Sequence, residues 1–446
     1  MLHGLLFRRQ TPWLLLWVLL SPGVALANDW SLLSYLGTLT SSDRWEDWSK
    51  WLYARNIWAM RWIPLNQISN VTFGAPHPFA NINQVLFVGG GSMGPDNAGP
   101  INATIFVAVR AGVVPAIDAN CATTNCGFFA WTPPLCTEEI SVFVLVPGAV
   151  AGIPQTVFLP GIDPIDGRVC DGDIRLNTLG QFYALDNNMF WKEKRKVPGG
   201  LHMWDIIGIG NPVTKYLTAG CVGLDANGIQ RSALRSTIDG GDTWTDMTCD
   251  SAVCATIPVT RAWKFFTLGG EIYVTTRGNA VTHVFKYASG TDNWLLQNDT
   301  TVRDVLLPNG AYKVWSPAVW ASGLVYLSGK SETGGDFKGE RLMHATSSTV
   351  AATITLPVVG VIPTDLRVIE GKVYLLSYKD EGAQVYTVYL HRSADLSGTG
   401  NWTAVTDFQS VPSGGIARSF DFVPTNGVSG AGYLYYGMGT LCYLTN

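Results

Sequence analysis

Thr237-Ile238-Asp239-Gly240-Gly241-Asp242-Thr243-Trp244 closes one alternating run and opens the next. The run before it, Gln230 to Ser236, has the period-two pattern of a half-buried strand. The octet supplies what a tight hairpin needs. Asp239 can accept hydrogen bonds from the N–H groups of its own turn, and Gly241 tolerates a positive φ. Thr243 and Trp244 then begin the return strand, with an indole large enough to bury against a neighbouring sheet.

Related stretches follow at a regular interval. Ser289-Gly290-Thr291-Asp292-Asn293-Trp294 comes after the strand pattern of Val281–Tyr287, and its Trp lies 50 residues beyond Trp244. Ser393-Ala394-Asp395, a Gly-rich turn and Asn401-Trp402 place another Trp 108 residues further on. Near the midpoint, Arg341–Ser347 reads as the matching third strand with its turn signature eroded. Units of about 50 residues, each of several short strands, have the size of β-propeller blades.

The octet resembles the Asp-box of the sialidase superfamily, (Ser/Thr)-x-Asp-x-Gly-x-Thr-Trp, through Thr237, Asp239, Gly241, Thr243 and Trp244. The resemblance implies an all-β fold, a propeller of six blades, with seven as the alternative. It also implies that these five residues are structural and sit on the outer rim, away from any reacting centre.

Residues 1–27 are set apart from that fold. Arg8 and Arg9 precede the apolar run Pro12 to Leu20, and Ala25-Leu26-Ala27 is a small-residue cleavage pattern, which together predict a secretory signal peptide. The apolar run is too short, and too interrupted by Pro22 and Gly23, for a membrane span. About 420 residues remain, and no later apolar run is long enough to cross a bilayer. A secreted or extracytoplasmic location follows. The eight cysteines all lie beyond residue 27, and an even number in an exported chain reads as disulfides of undetermined connectivity.

Composition fits a β-rich globular chain: 48 Gly, 23 Pro, 11% aromatic and only 14% charged residues. A net charge of −4 gives no reason to expect nucleic acid or an anionic membrane as partner. Ser41 to Trp58 is the one convincing helical pattern, with Ser42 as cap and Trp45, Trp48, Trp51 and Leu52 along one face. It is expected to dock on a propeller spanning residues 59–446. Strands and turns follow from Gln84 onward. The final pair, Ser419–Val423 and Tyr433–Tyr436, is expected to borrow strands from the N-terminal segment and so close the ring.

The resemblance also proposes site residues. Arg61-Trp62-Ile63-Pro64 is similar to the family's Arg-Ile-Pro motif with one residue inserted, and Arg277 and Arg341 follow in the order of its second and third arginines. In the family these hold the substrate carboxylate, which a guanidinium pairs bidentately. Asp96 lies where the family keeps its acid/base Asp. The family's Glu is missing at Thr260-Arg261-Ala262, and its nucleophilic Tyr is missing at Ile362-Pro363, which leaves Tyr378, near Glu381, as a substitute. Surface or hairpin-pairing roles are the plainer reading of Arg277 and Arg341.

Asp163, Asp166, Asp171 and Asp173 form a Gly-interleaved acidic cluster that can offer oxygen ligands to Ca²⁺, though without EF-hand spacing. A solvated turn explains them as well, and no metal or other cofactor is expected. These residues favour a non-catalytic module binding a glycan, a glycoprotein or another extracellular protein. A sialidase-like exo-glycosidase using the arginine triad and an extracellular structural or assembly scaffold are the alternatives.

Overall fold

The computed structural model describes residues 56–64, 82–91, 104–111, 128–130, 139–140, 142–145, 157–162, 169–170, 173–174, 182–185, 191–193, 197, 200–224, 230–232, 234–247, 261–277, 282–311, 313–331, 337–382, 385–397, 401–409, 417–424, 432–438 and 441–445. They are mostly antiparallel β-structure. Sheet I is β1 (Asn56–Pro64), β2 (Ile82–Gly91), β3 (Thr104–Ala111) and β4 (Phe128–Ala130). Sheet II combines β5 (Glu139–Ile140), β6 (Val144–Leu145) and β7 (Val157–Ile162) with two later strands. Between them comes a separate pair, β8 (Val169–Cys170) and β9 (Asp173–Ile174), before β10 (Phe182–Leu185) and β11 (Trp191–Glu193) complete the sheet.

Sheet III is β12 (Gly200–Ile209), β13 (Lys215–Leu224), β14 (Gln230–Ser232), β15 (Arg235–Thr237) and β16 (Thr245–Asp246). Sheet IV is β17 (Arg261–Leu268), β18 (Glu271–Arg277), β19 (Thr282–Ala288) and β20 (Asn293–Leu296). Sheet V is β21 (Lys313–Trp320), β22 (Gly323–Ser331), β23 (Phe337–Ser347) and β24 (Val350–Ile354). Sheet VI is β25 (Ile362–Ile369), β26 (Lys372–Gly382), β27 (Val385–Ser393) and β28 (Thr403–Gln409). Sheet VII has three strands, β29 (Ala417–Pro424), β30 (Gly432–Met438) and β31 (Leu441–Thr445).

One expectation is corrected. Residues 56–58, read as the end of a helix, begin β1, where Asn56 and Ile57 pair with Gly91 and Gly90 of β2. Cross-strand pairing of a segment that continues into Ala59–Pro64 sets the conformation of 56–58. The earlier part of that segment, 28–55, lies outside the described residues, as do residues 1–27, where the sequence predicts a signal peptide. Among the described residues sheet VII has three strands, all from its own stretch of chain, and β1 pairs with β2.

Consecutive sheets meet along their first strands. β12 lies against β17, β17 against β21, β21 against β25, β25 against β29, and β29 against β1. Sheet II fits between, with β5 touching β1 and β2 while β7 touches β12. The apolar cores lie between sheets rather than within them. Leu217 and Ala219 of β13 pack with Phe265, Val274, Phe285 and Trp294 of sheet IV. Val325, Leu327 and Leu342 of sheet V pack with Leu366, Val373 and Leu375 of sheet VI. A short helical stretch at 299–306 caps the core between sheets IV and V with Val302 and Leu306, and the Leu306 carbonyl accepts the Tyr326 hydroxyl at 2.7 Å.

The hairpin at 237–244 is held by two side chains. The Thr237 hydroxyl accepts the Gly241 N–H at 2.9 Å and donates to Asp239 at 2.7 Å. The Asp239 carboxylate accepts the N–H groups of Asp242 and Thr243 at 3.0 and 2.8 Å, and the Thr243 hydroxyl as well. Gly241 has φ 97°, where a Cβ is unfavourable. Burial alone would raise the Asp239 pKa. Hydrogen bonds from Thr243, Thr237 and Asp242 outweigh it and hold the carboxyl down at about 2.

The indoles after these turns reach back to the preceding sheet. Trp244 meets Phe182 of sheet II edge-on at 5.1 Å, and fully buried Trp294 joins the core shared with sheet III. Trp402 donates from Nε1 to the Thr355 carbonyl, just beyond β24, at 3.0 Å.

Candidate functional site

Six first strands share one irregularity. Against its partner, each of β1, β12, β17, β21, β25 and β29 carries one extra residue: between Ile57 and Ala59, Met203 and Asp205, Ala262 and Phe265, Trp315 and Ala318, Pro363 and Asp365, and Ala417 and Ser419. A bulge turns the side chains beside it out of strict alternation. Side chains from five of these strands, all but β29, line a cavity of about 240 Å³. Ala59 and Arg61 line it from β1, Asp205 from β12, Lys264 from β17, Trp315 and Ser316 from β21, and Asp365 and Arg367 from β25.

Three aspartates link one first strand to the next in the same way. Each follows or closely follows a bulge and accepts a backbone N–H from the neighbouring sheet. Asp205 accepts from Phe265 at 2.9 Å, Asp365 from Phe420 at 3.1 Å, and Asp421 from Trp62 at 2.7 Å. Asp365 and Asp421 also accept the N–H of the residue that follows them, each at 2.9 Å. Burial raises the Asp205 and Asp365 carboxyls above the usual range. Lys264 and two N–H groups oppose this at Asp205, and Arg367, Ser316 and two N–H groups oppose it at Asp365.

The cations have distinct surroundings. Buried Lys264 donates to the Trp204 carbonyl at 3.0 Å, lies 3.5 Å from Asp205 and sits 5.0 Å from the centre of the Trp315 ring. Lys313 returns the arrangement, 3.8 Å over the ring of Trp263, which itself packs on Trp204 at 4.2 Å. Arg367 donates from Nε to the Phe420 carbonyl at 3.2 Å and lies 3.4 Å from Asp365. Arg61 differs. Its Nε is buried without a hydrogen-bond partner, and burial lowers its pKa, with Asp421 opposing and Arg367 adding to the shift.

Ser316 has φ 47° in the middle of β21, and its hydroxyl donates to Asp365. A positive φ at a non-glycine residue is a strained conformation that persists only where its surroundings enforce it.

Of the residues proposed from sequence, Arg61 lines this cavity. Arg341 does not. It is half-buried on β23, donates to the Pro308 carbonyl at 3.3 Å and neighbours Glu340. Arg277 ends β18, with its backbone opposite Arg261 and Thr282, and its side chain is outside the described set. Tyr378 is buried between sheets VI and VII with Val388, Leu390 and Phe420, its ring edge-on to Tyr386. Asp96, Asp163, Asp166 and Asp171 lie outside the described residues, and Asp173 is described only as backbone in β9. No group of three or more His, Cys, Asp or Glu among the described residues is placed to hold a metal.

The reading from sequence missed Asp205, Lys264, Trp315, Ser316, Asp365 and Arg367. A signal was present in Trp204-Asp205-Ile206, Thr364-Asp365-Leu366 and Phe420-Asp421-Phe422. An Asp inside a strand pattern, next to large apolar residues, is disfavoured there unless its carboxylate is given partners.

No family model and no curated protein matches the chain. Solved structures similar to it include the extracellular domain of a protein assigned as a hybrid two-component system, BT3049 of B. thetaiotaomicron. That likeness has 7% identity and a TM-score of 0.43, covering 81% of this chain and 38% of that one. The dihydro-heme d1 dehydrogenase NirN is similar at 12% identity and a TM-score of 0.34, covering 64% of this chain and 59% of that one. An exo-β-1,3-galactanase of Phanerochaete chrysosporium is similar at 9% and 0.32, covering 66% and 73%. This chain thus spans well under half of the first structure and about three fifths of the second. These are low-scoring likenesses to proteins of differing function, and the chemistry of the site is carried by the chain's own residues.

Proposed function

We propose that the chain is a secreted Asp-box β-propeller of seven blades whose central cavity binds one sugar unit of a glycan without cleaving it. Sheets made of consecutive stretches of chain, first strands that meet in series, and the Asp421–Trp62 contact between the last sheet and the first support the ring. The hydrogen bonding of Asp239 and Thr237, and the reach of Trp244 to the preceding sheet, support the Asp-box reading. The leader at residues 1–27 supports export.

The observation that carries the binding function is the cavity itself. Trp315 gives it an aromatic wall, Ser316 and the Asp–cation pairs give it polar edges, and its volume suits a single ring. Non-catalytic use is favoured because the lining carboxylates are already occupied. One Asp365 oxygen takes Ser316 and Leu366, and the other takes Phe420 and Arg367. A proton-transfer role needs an oxygen free to meet substrate. Arg341 and Tyr378 lie away from the cavity, which weighs against the sialidase-like alternative.

Saturation-transfer NMR with a panel of monosaccharides tests this reading. Transfer to at least one sugar, lost in folded Trp315→Ala, is the expected result. No transfer to any sugar would overturn sugar binding, and turnover of a fluorogenic glycoside would overturn the non-catalytic assignment.

A further inference from the structure

Four Asn-x-Thr triplets lie beyond residue 27: Asn70-Val71-Thr72, Asn102-Ala103-Thr104, Asn298-Asp299-Thr300 and Asn401-Trp402-Thr403. The first two asparagines lie outside the described residues. The other two differ in what holds the amide. Asn298 and Thr300 are both exposed, just past β20, the last strand of sheet IV. The Asn298 Oδ1 accepts the Thr300 and Thr301 N–H groups at 2.9 and 3.1 Å, and the Thr300 hydroxyl at 2.8 Å. With its oxygen turned into that cap, Nδ2 faces away and makes no hydrogen bond among the described residues. Asp299, between them, is held by His283 and Arg303 at 3.2 and 3.0 Å. Asn401 instead uses its amide within the chain. Its Nδ2 donates to the Asp395 carboxylate at 3.2 Å, and its backbone N–H donates to the Asp395 carbonyl at 3.1 Å.

We propose that Asn298 is a site of N-linked glycosylation and that Asn401 is not. An Asn-x-Thr triplet on an exported chain is an acceptor for an oligosaccharide carried on a lipid pyrophosphate. In the transfer the Asn298 Nδ2 bonds to the anomeric carbon of the first sugar. The bond from that carbon to the pyrophosphate oxygen breaks, and Nδ2 gives up one proton. The product keeps Oδ1, so the cap on Thr300 and Thr301 survives attachment. A bulky, solvated group needs open surface, and Asn298 has it. At Asn401 the same group would crowd the Asp395 carboxylate, and the closed turn withdraws Nδ2 from a transferase. Asn298 follows the last strand of its sheet, whereas first strands line the cavity, so the glycan stands clear of it. The inference rests on the export part of the proposed function and not on the cavity.

The test is secretion of the full chain, with its own leader, from insect cells. The secreted protein is treated with peptide-N-glycosidase in water enriched in the heavy oxygen isotope, and its peptides are mapped by mass. The enzyme leaves a heavy-oxygen aspartate wherever a glycan stood. Label at Asn298 in most of the secreted protein, with Asn401 unlabelled, is the expected result. Thr300→Ala keeps Asn298 and its bonds to backbone N–H groups, and should lose the label at 298, while Thr300→Ser should retain it. Secreted protein without label at 298 would overturn the proposal and leave export standing. Labelling of Asn401 as complete as that of Asn298 would overturn the distinction between the two amides. Retention in the cells with the leader uncleaved would overturn export and this site together, and would leave sugar binding in the cavity standing.

Discussion

The carboxylate of Asp365 accepts the backbone N–H of Phe420 at 3.1 Å, across the boundary between two sheets and 55 positions along the chain. The same carboxylate takes Ser316 from the sheet on its other side. One buried side chain therefore fastens three consecutive sheets.

Asp365→Ala should cost about 3–5 kcal/mol of unfolding free energy, because buried donors and Arg367 lose their acceptor together. Asp365→Asn keeps one carbonyl oxygen and should cost about 1–3 kcal/mol. Urea denaturation of the two variants gives the order, and equal losses would show that the carboxylate does not fasten the sheets.

Asp239 makes stability depend on acid in a defined direction. Its folded pKa of about 2 lies below the unfolded value of about 3.9, so its contribution is present above pH ~4 and is lost as pH falls toward 2. Asp205 and Asp365 act in the opposite sense. Their folded values are raised, so acidification through those values relieves the burial of charge. Asp239→Asn should flatten the stability profile between pH about 4 and 2, measured by denaturation across that range. An unchanged acid limb would remove Asp239 from the account.

Trp294 and Trp402 follow comparable turns and differ in burial. Trp294→Ala should cost about 3–5 kcal/mol, since the indole is fully enclosed between sheets III and IV. Trp402→Ala should cost about 1–3 kcal/mol, since that indole is half-buried and loses one hydrogen bond to Thr355. The comparison is read from midpoints at constant denaturant dependence.

Gly339 lies where β23 of sheet V presses on sheet VI, and a Cβ there would meet the Pro363 carbonyl. Gly339→Ala should therefore cost about 1–3 kcal/mol. Gly290, with nothing near its missing Cβ, is the control, and Gly290→Ala should stay within about 0.5 kcal/mol. Thermal unfolding of the pair separates backbone crowding from loss of glycine as such.

What could be read from the chain follows the range of the interactions. The turn at 237–244 is written in its own residues, since the Thr237 and Asp239 side chains bond groups of that same hairpin. The apolar patterns of Glu271–Thr276 and Lys372–Ser377 likewise declare strands without help from elsewhere, inside β18 and β26. The cavity obeys a different logic. Asp205 matters because Phe265 lies 60 residues away, and Lys264 matters because Trp315 sits under it. Neither pairing leaves a local pattern. The bulges that aim these side chains inward show only as an odd residue count against a partner strand. Arg61 was found through a motif, while Tyr378 was proposed by proximity to a strand end and proves to be core.

Among the described residues, each larger sheet uses one continuous run of chain, and no hydrogen-bonded ladder passes from one of these runs to the next. Their joints include an Asp side chain meeting a backbone N–H, and apolar surface meeting apolar surface. A backbone amide is the same in every residue but proline, so an aspartate at such a joint does not depend on the identity of its neighbour. During descent, a whole unit can be duplicated or deleted without rewriting the pairing of any other. What the next unit must offer is a first strand with an extra residue at the right height.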